Sequence, residues 1–173
     1  MTVSTSQKVL VLDGHDGAGK STLARWLAQE LGAHYVKPFD ASLGELISGL
    51  WSRGDYVLAD VVSRKAVEFE LARHKDGEVL IFDRMWLSLF TVLPEQFHGN
   101  WNRPDTILVW ADVATTNQRL RERGERVDEQ ENRHFCALYP RLAERYGIPV
   151  LDTSRRTIDE SKQDLRKLIA GRY

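Results

Sequence analysis

Eight residues constrain this chain more than any other stretch: Gly14-His15-Asp16-Gly17-Ala18-Gly19-Lys20-Ser21, which fit the pattern G-x-x-x-x-G-K-[ST]. Before them, Lys8-Val9-Leu10-Val11-Leu12-Asp13 is a short apolar run rich in β-branched residues, which reads as a buried strand. After them, Leu23, Leu27 and Leu31 repeat at helical spacing, and Gly32 stands where a helix C-cap belongs. A strand, a glycine loop and a helix in that order form an anion cradle. Gly14, Gly17 and Gly19 let the backbone turn sharply and approach an anion, with Ala18 and Thr22 completing the loop and its entry into the helix. The new helix adds the positive end of its dipole. Lys20 would reach the β- and γ-phosphates of ATP, and the Ser21 hydroxyl would serve Mg²⁺. A glycine turn that binds nothing is the plain alternative, and two correct flanks count against it.

The rest of the chain alternates strands and helices. Strands are expected at 33–37, 79–83, 106–110 and 149–151, and helices at 42–51, 56–75, 114–122, 128–146 and 157–170. Such alternation with fully apolar strands specifies an α/β fold: a five-stranded parallel sheet with helices on both faces. Ligands of such sheets lie at the C-terminal ends of the strands, where this sequence places Asp13, Lys37, Asp83, Asp112 and Asp152. One domain is expected over 1–173, with 1–7 as a flexible lead-in. A net charge of −1 gives no global field toward nucleic acid or anionic membrane. A single cysteine excludes an internal disulfide, and no apolar run reaches membrane-spanning length, so the cytoplasm is the default compartment.

Three constellations carry chemistry. Asp83-Arg84 closes the third strand, where the carboxylate would hold Mg²⁺ and the guanidinium a second phosphate. A strand-end ion pair is the bland reading of the same two residues. Arg119, Arg121, Arg123 and Arg126 surround Gly124, with Arg119, Arg123 and Arg126 expected on one helical face. A mobile arginine segment over about 119–130 would close on a triphosphate as a lid and exclude water. The bland reading is a solvated helix face. Asp16 is unwelcome beside phosphates on electrostatic grounds, which points to a purpose such as accepting a hydrogen bond from an acceptor hydroxyl. Lys37 and Phe39 lie beside the expected acceptor pocket, and Trp51, Trp86 and Trp101 are base-stacking candidates outweighed by core packing. The five histidines show no metal-ligand spacing.

Taken together, these residues resemble the thymidylate kinase family of P-loop nucleoside monophosphate kinases over nearly the whole chain. Leu12 to Thr22 is similar to that family's phosphate loop, including the internal acid at Asp16. Asp83-Arg84 followed by Ser88 resembles its D-R-[YF]-x-x-S signature, and Ala111 to Tyr146 resembles its lid and following helix. Asp152-Thr153-Ser154 is similar to the loop near the adenine of ATP, and Arg64 to an arginine contacting the acceptor's base. The resemblance implies transfer of the γ-phosphoryl of Mg-ATP to a deoxynucleoside monophosphate. Lys20, Asp83, Arg84, Arg123 and Arg126 would be catalytic, with Arg119 and Arg123 on the ATP. Asp16, Lys37, Phe39, Arg64 and Arg84 would hold the acceptor. A homodimer is implied as well. Two departures bear on the acceptor: Val36-Lys37-Pro38-Phe39 replaces the family's R-E-P-G, and Met85 replaces its aromatic residue. Thymidylate, another deoxynucleotide, a nucleoside and a modified base or end in DNA therefore all stay open. A local basic patch from Arg53, Arg64 and Lys65 would serve DNA, although near-neutral charge disfavours extended backbone contact. From another class, an ATPase or switch acting on a protein partner would also use the loop; no N-K-x-D guanine signature is present.

Overall fold

A computed structural model describes residues 7–173. Residues 1–6 of the expected lead-in lie outside the described residues. Gln7 is tied down, its amide donating to the Leu71 and His74 carbonyls at 3.2 and 2.7 Å.

The elements run β1 (Lys8–Asp13), α1 (Lys20–Leu31), β2 (His34–Val36), α2 (Ala41–Ser52), α3 (Tyr56–Ala72), β3 (Val79–Asp83), α4 (Trp86–Phe90), β4 (Asp105–Trp110), α5 (Val113–Glu122), α6 (Glu129–Tyr146), β5 (Val150–Asp152) and α7 (Ile158–Ile169). A 3-10 helix, Glu95–Asn100, joins α4 to β4. The strands form one parallel sheet in the order β2-β3-β1-β4-β5. Alternation along each strand assigns the two cores. Val9, Val11, Leu80, Phe82 and Leu108 pack with α2, α3, α4 and α6, while Leu10, Leu12, Ile81, Ile107 and Val109 pack with α1 and α7. β1 sits between β3 and β4, so its C-terminal end opens into the crevice where the sheet order reverses. The glycine loop that follows β1 leaves the sheet at that point.

Caps set the helix ends. Asp40, Asp112, Asp128 and Thr157 each accept a backbone N–H in the first turn of the helix that follows, and Gly32 and Gly147 close α1 and α6 in the left-handed conformation. α5 ends at Glu122, and Gly124 takes a φ of 71°. The chain therefore leaves the helix before Arg126, which does not share a helical face with Arg119 and Arg123 as expected. Among the described residues no helix is long and apolar enough to cross a membrane.

Candidate functional site

The glycine loop at 14–19 is held from below by Asp13, a wholly buried residue at the end of β1. Its carboxylate accepts Gly14 N–H at 2.9 Å, Met85 N–H at 3.1 Å and Ser88 N–H at 3.1 Å, and also the Ser88 hydroxyl. One carboxylate thus locks the start of the loop to the β3–α4 turn. Close approach explains two of the glycines. A Cβ on Gly14 (φ 145°) would lie 2.1 Å from the Val109 carbonyl oxygen, and one on Gly17 (φ 78°) 2.9 Å from that of Thr116. Arg84 is the one non-glycine residue with positive φ, 73°, among the described residues. This strained conformation turns its side chain onto Asp16 across the loop.

Lys20 is buried at the start of α1, its ammonium donating to the His15 carbonyl at 3.0 Å and standing 3.8 Å from Asp16. Burial, with Arg84 close by, pulls its pKa down to about 8. Burial acts in the opposite sense on Asp16, but Arg84 and Lys20 outweigh it and hold the carboxyl at about 2. His15 is kept neutral by burial, its pKa near 4. It packs beneath the loop against Cys136, whose thiol lies 3.7 Å from either ring nitrogen. Asp83 is buried and accepts the Tyr35 hydroxyl at 2.7 Å, which with burial raises the phenol to about 12. Tyr139 bonds the Ser88 hydroxyl at 2.7 Å, and burial together with Asp13 raises its pKa.

Two cavities flank the loop. The larger, about 430 Å³, brings together Lys20, Ser21, Asp83 and Arg84 with Asp16, Lys37 and Phe39. Ile47, Trp51 and Phe135 give it apolar walls, and Asp40 and Glu131 add acids. The smaller, about 390 Å³, runs along Gly17, Ala18, Gly19 and Thr22 to Arg119, Arg123 and Thr153. Arg119 donates to the Gly17 carbonyl at 3.2 Å, the Thr153 hydroxyl at 3.0 Å and the Thr153 carbonyl at 2.9 Å, tying the loop to the β5–α7 connection. A hydroxyl at Ser21 and a carboxylate at Asp83 facing the same cavity as Lys20 form an oxygen set that suits Mg²⁺, which favours few protein oxygens and retains water. The glycine-lined loop beneath them suits a polyphosphate.

Other expected residues fall elsewhere. Arg64 does not line either cavity; its guanidinium donates to Asp60 at 2.9 Å one turn earlier on α3. Asp60 also accepts from Asn100 and from the Trp101 indole at 2.8 Å, so this cluster fastens α3 to the 3-10 segment. Each cation of the expected basic patch has an acid beside it: Arg53 pairs with Asp55, Lys65 with Glu68 and Arg64 with Asp60. Arg126 lies in the connection between α5 and α6, away from both cavities. Arg121 pairs with Glu129 at 2.5 Å and Arg123 with Glu125 at 3.0 Å, all four exposed. Trp86 and Trp101 are buried in the core, and Trp51 reaches the larger cavity. Sequence reasoning missed Asp13 as the loop's anchor and Tyr35 and Tyr139 as partners in the acidic floor.

No protein-family model matches the sequence, and neither does any curated protein. Solved structures do. Deoxyadenosine kinase from M. mycoides with bound dATP aligns at a TM-score of 0.66 and 16% identity, covering 94% of this chain and 98% of that one. The structure of that enzyme with products dCMP and a flexible dCDP bound gives 0.65 at 14% identity, covering 93% and 98%. The one with bound dCTP gives 0.62 at 15%, covering 94% and 98%. At these identities the likeness shows the fold alone: a five-stranded parallel sheet with helices on both faces.

Proposed function

We propose that this chain is a phosphotransferase that moves the γ-phosphoryl of Mg-ATP to a deoxynucleoside held in the larger cavity. The observation that carries the reading is the convergence of Lys20, Ser21, Asp83 and Arg84 on one cavity, with a second cavity across the glycine loop. That layout gives the donor and the acceptor separate pockets with the transferring group between them, which is most of what phosphoryl transfer asks of a protein. ATP would lie along Gly14 to Thr22, its base side toward Thr153 and Arg119. Lys20 would stabilise the β- and γ-phosphates. Ser21 and Asp83 would hold Mg²⁺, which when bound neutralises charge developing on the transferred group. Asp16, ionised at any ordinary pH, would accept the acceptor hydroxyl's hydrogen bond, with Arg84 fixing its direction. Arg119, Arg123 and Arg126 would form a lid over about 119–130, Arg119 already in contact with the loop.

The acceptor side of the larger cavity favours an uncharged group. With Arg84 committed to Asp16, Asp83 to Mg²⁺ and Lys20 to the triphosphate, its wall carries Asp40 and Glu131 beside Phe39, Ile47, Trp51 and Phe135, against the single cation Lys37. A monophosphate dianion would meet those two acids. The second reading, a thymidylate-like monophosphate kinase, rests on Lys37, an exposed cation at the cavity edge. The acid beside each of Arg53, Arg64 and Lys65 cancels their local field, which weighs against DNA as acceptor. The kinase would act as a single domain over 1–173 in the cytoplasm, and Leu46, Val57, Leu58, Val61 and Phe69, exposed on α2 and α3, would support a homodimer.

Incubation with Mg-ATP and a panel of deoxynucleosides and their monophosphates tests this reading. ADP should form at least tenfold faster with one deoxynucleoside than without acceptor. Dependence on a monophosphate alone would transfer the assignment to the second reading. One rate of ADP release regardless of acceptor would sink both and leave an ATPase or switch.

A further inference from the structure

A separate group of ligand-type side chains lies at the opposite end of the sheet from the phosphate loop. His34 opens β2, Glu78 immediately precedes β3, and His74 lies in the connection that leads from α3 to β3. His34 Nε2 is 3.5 Å, and His74 Nδ1 3.4 Å, from the same oxygen, Glu78 Oε2. All three atoms lie within 4.8 Å of one another, and the rings are tilted by 47° with centroids 4.7 Å apart. Good N–H···O hydrogen bonds run to about 3.2 Å. Two ligands at about 2.0–2.2 Å from one tetrahedral ion stand about 3.3–3.5 Å apart. The two nitrogen–oxygen separations match the second figure, and rotation of the half-exposed His34 ring closes the remaining gap between the nitrogens.

The arrangement is braced. Lys75 N–H donates to Glu78 Oε2 at 2.9 Å, which fixes the carboxylate and is the main cause of its lowered pKa. The Gln7 amide grips the His74 and Leu71 carbonyls, holding the turn that presents the ring. We propose that His34, His74 and Glu78 bind one divalent cation of zinc type, with water in the fourth position. Two imidazoles and a carboxylate suit a borderline ion such as Zn²⁺ or Co²⁺, and not Mg²⁺, which prefers oxygen ligands. The ion would tie together the two ends of the segment carrying α2 and α3. That segment supplies Phe39, Ile47 and Trp51 to the larger cavity. Closing it with a metal restricts the unfolded chain and steadies the cavity wall.

Titration of the untagged full chain with Zn²⁺ alone, followed by calorimetry and thermal unfolding, tests the site. One equivalent should bind at micromolar affinity and raise Tm, and Co²⁺ should give visible bands of a tetrahedral ion. His34→Ala, His74→Ala and Glu78→Gln should each weaken Zn²⁺ at least tenfold. The Glu78→Gln amide oxygen can still accept from Lys75, so its loss of binding would not report unfolding. Hydrogen exchange of α2 and α3 should slow with Zn²⁺ in the unaltered chain only. No saturable binding at micromolar Zn²⁺, or equal binding by the three variants, would overturn the proposal. Neither result depends on whether the phosphate loop serves a kinase.

Discussion

The loop at 14–21 and the connection at 123–128 are both charged turns between regular elements, yet they are held in opposite ways. At the loop, Asp13 receives three backbone N–H groups and a hydroxyl, Lys20 is buried, and Gly14 leaves no room for a methyl group against Val109. At the connection, a Cβ on Gly124 would meet nothing within 4 Å, and the arginines pair only with exposed acids. Exposed pairs are screened by solvent and salt and break cheaply. The loop is therefore held in place by the chain's own contacts, and amides so fixed would need no reorganisation if, as proposed, charge develops on a phosphoryl group beside them. The arginine segment has no such ties to the core, and the lid proposed over about 119–130 would require that freedom. Substitutions that exchange these properties would break the contrast.

The largest effect falls on the cradle. Gly14→Ala places a methyl group on a backbone carbonyl and at a φ of 145°, so β1 and β4 must part. We expect a loss of about 3 kcal/mol or more, read by urea unfolding. Lys20→Met should lower kcat at least about a hundredfold, the scale for removing one preorganised donor. Tm should not fall, because the buried ammonium is costly without its ligand. The pH dependence carries the sign. The folded chain loses the Lys20 proton near pH 8, whereas the unfolded chain keeps it to the ordinary 10.5. Between those values the unfolded state binds more protons, so ligand-free stability rises with pH. Triphosphate affinity should fall over the same window. A Lys20→Met chain that keeps both trends would assign them to another group.

Arg119 joins the two regions. Arg119→Ala removes three hydrogen bonds to Gly17 and Thr153, and it should raise KM for ATP about tenfold, near the low end of the worth of one charged hydrogen bond. Arg126→Ala should leave KM unchanged and lower kcat only if the segment closes during turnover. Equal effects of the two substitutions on KM would remove the distinction between an anchored and a mobile arginine.

The sheet and the loop were legible because their signals are local: apolar runs of strand length, and glycines whose spacing serves one conformation. The helix expected at 128–146 is α6, Glu129–Tyr146, within a residue at each end. Harder were features made by distant residues meeting. Asp13 reads as one more charge at a strand end, and only the fold sets it beneath Met85 and Ser88. Arg64 drew attention as a base contact, but its spacing from Asp60 is that of an ordinary pair on one helix. Spacing alone puts Arg126 on one helical face with Arg119 and Arg123, provided that the helix runs through Gly124. In the structure Gly124 adopts the left-handed conformation just past the end of α5. The short α4 and the 3-10 segment escaped because five or six residues give too little periodicity.

The smallest effect tests the connection itself. Gly124 has open space around it but a φ of 71°, so an added methyl group meets backbone strain alone. Left-handed backbone costs a non-glycine residue about 1–2 kcal/mol, partly offset by the lower entropy of the unfolded chain. Gly124→Ala should therefore destabilise by about 1 kcal/mol or less, well below Gly14→Ala. Its kinetic signature should exceed its thermodynamic one. Stiffening the turn between Arg123 and Arg126 would slow closure and lower kcat while leaving ATP affinity, set by the cradle, as it was. Stopped-flow single turnover at saturating ATP separates the two. A variant with unchanged kcat and weakened ATP binding would mean that the connection is part of the fixed cradle.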